Sequence, residues 1–192
     1  MDDLDSTQAR EHIEMVERIL TESSQRLCYG AEYFIVWGLY SGAITLWWQL
    51  ITNGTWPVSW AWWQAVLLAA AIVFSIVRGR IKTGAERRRS LVQREFFNML
   101  WLTMGLAFIV NVGAFNIFRG WASAGIWSFA EAIVLFFIGI HGNRRALVAG
   151  IAVVVSLVVA NFVGPATSGY VLAAGMVVGY AGFGVAELLS GD

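Results

Sequence analysis

The stretch Arg78–Arg94, RGRIKTGAERRRSLVQR, decides how this chain is built. It carries seven basic residues and one acid, Glu86, and it lies between two long apolar runs. A short loop with this much positive charge resists transfer across a bilayer and stays on the cytoplasmic side. Fixing the loop inside sets the direction of every helix before and after it.

The rest of the composition agrees with a membrane protein. Of 192 residues, 58% are hydrophobic and only 14% are charged, against about 25% charged in an ordinary soluble domain. The length leaves room for one compact bundle and no additional soluble domain. A single cysteine, Cys28, excludes an intrachain disulfide and a multi-cysteine metal site. The acidic, polar N-terminus lacks the basic and apolar regions of a cleaved signal peptide, so retention is expected.

Residues 1–27 are expected to form a cytoplasmic amphipathic helix, and residues 28–192 a bundle of six transmembrane helices. In the first part Ala9, Ile13, Val16 and Leu20 share one face at helical spacing. Glu14 with Arg18, and Glu22 with Arg26, form i,i+4 pairs on the other face. The apolar stripe suits either the membrane surface or a docked protein partner.

Six apolar runs follow, at about 29–51, 60–77, 96–118, 121–140, 146–163 and 170–189. Each is near the ~20 residues that cross a hydrocarbon core as a helix. They lack the alternation of barrel strands, and the backbone in lipid must pair internally, so helices are the expected form. The fold class is therefore all-α, three helical hairpins joined by short links. With the N-terminus inside, twelve of the thirteen basic residues are cytoplasmic and only Arg119 is outside. Trp47, Trp48, Trp56, Trp60, Trp62, Trp63, Trp121 and Trp127 then collect at the outer end as an interfacial belt.

Glu131 is the residue most able to carry chemistry. It lies near the middle of the fourth run, where an ionised carboxylate is costly and has to be paired or protonated. Asn111 and Tyr180 are its expected hydrogen-bond partners by depth. The site reads as a proton, cation or polar-solute contact, or as an interhelical tie. Glu32, Glu187, Arg94, Arg144 and Arg145 are expected near the cytoplasmic interface, as ion pairs or snorkelling side chains. His12 and His141 show no spacing that suggests haem. No HExxH, GxSxG, Walker A or cysteine pair occurs, so no enzyme, metal or cofactor is expected.

Two further patterns concern packing. Gly38/Gly42 and Gly175/Gly179 are GxxxG motifs that allow close helix approach, within the bundle or in a homo-oligomer. A weak repeat at an offset of 63 residues aligns Glu32-Tyr33-Phe34 with Glu95-Phe96-Phe97, Gly42 with Gly105 and Gly79 with Gly142. It would make the first two hairpins parallel copies.

The layout resembles a group of uncharacterised bacterial inner-membrane proteins with a short cytoplasmic helix before six spans. The residues that carry the resemblance are Glu17, Arg18, Thr21, Ser23 and Ser24, leading into Tyr29 and Gly30. It implies a bacterial inner membrane and no particular activity. The tryptophan-rich outer end departs from that group. Two functions remain. One is a non-enzymatic scaffold or regulatory subunit that recruits a cytoplasmic protein. The other is a small transporter or channel with its path past Glu131. The bilayer is a partner in either case, and no nucleic acid is expected, because juxtamembrane arginines serve anionic lipid.

A cysteine placed within residues 53–59 should label from outside the cell, and one within residues 82–89 should not. The reverse pattern would overturn this threading.

Overall fold

A computed structural model describes residues 11, 13–16, 30–83, 91–113 and 121–190. Glu11 and residues 13–16 are helical. Ala9, Leu20, His12, Cys28 and residues 17–29, which include most of the resemblance motif, lie outside the described residues.

Among the described residues the chain is an all-α polytopic bundle. Helix α1 spans Ala31–Thr52, α2 Trp62–Thr83, α3 Leu91–Gly113, α4 Trp121–Ile140 and α5 Arg144–Phe162. The last span is one rod made of α6, Pro165–Met176, a π-helical segment, Val177–Ala181, and α7, Gly182–Ser190. All six rods are long and apolar enough to cross a membrane.

The helix ends correct some of the expected boundaries. The second span continues past residue 77 to Thr83, so Arg78, Arg80 and Lys82 ride on its last turns. The third helix is described only to Gly113, and residues 114–118 lie outside the described residues. Arg144 and Arg145 are not in a loop: Asn143 caps α5 by accepting from the Arg145 and Ala146 amides, so both arginines occupy its first turn. The last span starts at Pro165 rather than 170. Proline fixes φ for a first helical turn and has no amide to leave unpaired. Gly164, at φ 82°, makes the sharp entry that precedes it.

The last rod is the centre of the bundle. One side meets α1, where a Cβ on Gly38 would come within 2.5 Å of the Ala181 backbone nitrogen. Gly42 lies against Val177, and Gly184 is equally close to the Ala31 carbonyl. The other side meets α5, where Gly175 touches Ser156 and Gly179 faces Val153 and the Ala149 carbonyl. Both GxxxG motifs are thus engaged within the chain. Helix α4 closes the core with Ala132, Val134, Leu135 and Ile138, all fully buried.

Helices α2 and α3 form an outer layer with few buried residues. Helix α2 is tied to α1 by Trp37 Nε1 donating to Ser75 Oγ at 3.1 Å, and α3 reaches the core through Phe96, Leu100 and Met104. The proposed repeat pairs α1 with α3. The first is central and the second peripheral, so the two hairpins do not hold equivalent places.

Contacts sort the ends of the rods. Arg78 with Glu32, and Arg145 with Glu187, lie at one end. Gln49 with Pro165, and Asn111 with Ser123, lie at the other. Four tryptophans pack at that second end: Trp47 and Trp56 meet edge to face at 4.8 Å, and Trp62 stacks on Trp63.

Gly38→Val should overpack the α1 interface and lower bundle stability by about 1–3 kcal/mol. Gly105→Ala, with nothing within 4 Å of its added Cβ, should be nearly silent. Unfolding in mixed micelles followed by circular dichroism measures both, and equal effects would refute the in-chain role of Gly38.

Candidate functional site

Glu131 projects from α4 into the junction of α1, α4 and the last rod. It is 4% exposed, between Ala130 and Ala132, which are also buried. One carboxyl oxygen accepts a hydrogen bond from Ser41 Oγ of α1. The other, Oε2, is buried with no hydrogen-bond partner. An unpaired buried acceptor costs about 1–3 kcal/mol, more if charged.

Neither partner expected from depth is the one used. Asn111 bonds Ser123 instead, donating to its hydroxyl at 2.9 Å and accepting from it at 3.0 Å. The reason is axial position. Asn111 lies two residues before the end of the described part of α3, and Ser123 is in the first turn of α4. Glu131 is two turns deeper, about 12 Å along that helix. Tyr180 comes nearer. Its ring is buried in the π-helical segment, packs on Phe34 at 5.1 Å, and lies within electrostatic reach of Glu131. It makes no hydrogen bond to either carboxyl oxygen. Ser41 carried no signal in the sequence beyond being a small polar residue on the first span.

The segment beside Glu131 has its own geometry. Val177–Ala181 is π-helical, and it is where the last rod is pressed from both sides, by Gly38 and Gly42 of α1 and by Val153 of α5. Single π turns within α-helices occur often at functional positions.

Several other polar groups within the spans are matched. Gln49 is 4% exposed. Its amide nitrogen donates to the carbonyls of Pro165 and Ala166 at 3.0 and 2.9 Å, and its oxygen accepts from the Gly169 amide at 2.9 Å. A Cβ on Gly169 would collide with this side chain. Thr45 donates to the Met176 sulfur at 3.4 Å. Asn161 donates to the carbonyl one turn back in its own helix.

At the basic end, Glu32 pairs with Arg78, which the expected set did not include. Arg78 lies on the last turns of the second span, and the hairpin returns it to the start of the first. Glu187 pairs with Arg145 at 3.6 Å, and Arg145 also donates to Ser190. Arg144 is exposed and makes no ion pair with a described residue. The Arg94 side chain lies outside the described residues. His141 Nδ1 is 2.7 Å from the Phe137 carbonyl one turn back, on its own helix. Among the described residues no group of three or more His, Cys, Asp or Glu could hold a metal ion.

No protein-family model, curated protein or solved structure matches this chain. The geometry therefore carries the functional argument alone.

Ser41→Ala should destabilise the bundle by about 1–3 kcal/mol, because it leaves the buried Glu131 carboxyl without its donor. The double variant Ser41→Ala/Glu131→Leu should recover part of that loss, since no polar group is then stranded. Unfolding free energies of the two single variants and the double variant form the cycle. A double variant as unstable as the sum of the singles would refute the Ser41–Glu131 tie.

Proposed function

We propose that this protein is a non-enzymatic subunit of a bacterial inner membrane, with both termini in the cytoplasm, that recruits a second protein at its cytoplasmic face. The observation that carries this reading is the N-terminal helix. Its described apolar residues Ile13, Met15 and Val16 are 60%, 58% and 54% exposed, on a segment too polar to enter the bilayer. Ile13 and Val16, three residues apart, share a face that suits the groove of a partner. The remaining support lies inside the spans, where Gln49, Asn111, Ser75 and Thr45 all join one helix to another. Polar groups used in this way hold helices in register. The basic asymmetry of the sequence supports the orientation.

A second reading has one observation behind it. Glu131 keeps an unpartnered oxygen beside a π-helical turn, an arrangement suited to taking up a proton or a cation.

Changing Ile13 and Val16 together to Asp should release the protein that co-purifies with the wild type from native membranes, while the spans still insert. Retention of the full set of co-purifying proteins would sink the recruiting role. Flux measurements on reconstituted protein test the second reading. Proton or cation flux in the wild type that Glu131→Gln abolishes would put transport first, because an amide cannot cycle a proton. No flux under any imposed gradient would remove it.

A further inference from the structure

The basic end of the bundle carries a groove of about 390 Å³ between α5 and the last rod, with Arg144 and Arg145 at its mouth. That volume falls in the ~300–1,000 Å³ range of ligand sites. Apart from the two arginines its lining is apolar, with the small residues Ala149, Ala152 and Gly182 beside Phe183 along its floor. On α5 the lining runs from Arg144 and Arg145 to Ala152, about 10 Å along the helix at 1.5 Å per residue.

We propose that this groove binds one anionic phospholipid, with an acyl chain along its floor and the headgroup phosphate on Arg144 and Arg145. The chemistry of the two ends makes the argument. One part of the lining is apolar, formed by side chains of two membrane-spanning helices, and suits an acyl chain. The shallow end presents two guanidinium groups, which match phosphate as planar forks of donors. Only one of them is balanced: Glu187 pairs with Arg145, while Arg144 has no described counter-charge. Among the described residues the mouth keeps a net positive charge, and a basic pocket between spans selects an acidic headgroup over a zwitterionic one. This inference does not depend on the recruiting role or on Glu131.

Native mass spectrometry of the full chain, released from nanodiscs of defined lipid, tests it. With equal phosphatidylglycerol and phosphatidylcholine present, one phosphatidylglycerol should stay bound to the wild type in preference to phosphatidylcholine. Arg144→Gln touches no described ion pair and should weaken retention about fivefold, the scale of one arginine at a membrane surface. Ala152→Phe keeps both arginines, fills the floor, and should also abolish the preference. Both variants should melt like the wild type by circular dichroism. A variant that melts early is replaced by Arg144→Lys or Ala152→Leu, with the same expectations in weaker form. Four results would overturn the proposal: equal retention of the two lipids; full retention in the floor variant, which would indicate surface charge alone; displacement of the lipid by inorganic phosphate at millimolar concentration, which would indicate a simple anion site; and a second copy or another protein found over the groove in place of lipid.

Discussion

Close backbone approach along the last span is the constraint on which the rest of this structure depends. In lipid an apolar side chain gains little by leaving its surroundings for another helix, so association rests on packing and hydrogen bonds. Packing is strongest where two backbones come near, and that needs missing side chains. The last rod has them on two faces. Gly184 meets α1 directly, and Ala181 and Val177 fit against Gly38 and Gly42 of that helix. Gly175 and Gly179 bring α5 onto the opposite side. Helix α4 then closes against α5 through Gly139 and Gly150, which lie against Leu147 and Phe136. Helices α2 and α3 can be mostly lipid-exposed because this inner set already specifies the bundle.

The polar groups refine that arrangement. Interhelical hydrogen bonds in membranes are worth only about 0.6 kcal/mol on average, so a few of them do not hold six helices together. Their directionality matters more. Gln49 bonds Pro165, Ala166 and Gly169 at once, which fixes the height of α1 against the first turn of the last span. Asn111 and Ser123 fix α3 against α4. Gly169 supports both requirements, since only a residue without Cβ leaves room for the Gln49 side chain.

Much of this architecture was legible in the sequence and much of the site was not, for a common reason. A run of apolar residues reports its own length, so the fourth span was read at Trp121–Ile140 as found. Glu131 was legible as a buried carboxyl because its neighbours in sequence are apolar. Its partner was not, because that depends on how α1 is rotated about its axis and on which helix lies beside α4. Depth alone favours Asn111, which bonds Ser123 in the first turn of α4, two turns short of Glu131. Gln49 sits among tryptophans near a helix end, where nothing near it in the sequence singles it out. Its only signal was the small residue Gly169 at matching height on the last span. Arg78 is missing from the residues expected around Glu32 because the apolar run ends at Val77 while the helix carries on to Thr83, and the π turn has no signature in composition or spacing.

Gln49 and Glu131 define two ways of burying a polar side chain in the same bundle. At Gln49 both ends of the amide are matched, so its burial is explained by what it joins. At Glu131 one oxygen meets Ser41 and the other meets nothing. A glutamine at that position would also accept from Ser41, without the burden of an ionisable group. Helix packing therefore explains why position 131 is polar but not why it is acidic. Trp47 Nε1 is the other unpartnered buried side-chain atom among the described residues, and it lies at the tryptophan-rich end. Glu131 is thus the one described position within the core of the spans whose chemistry exceeds what holding the helices together requires.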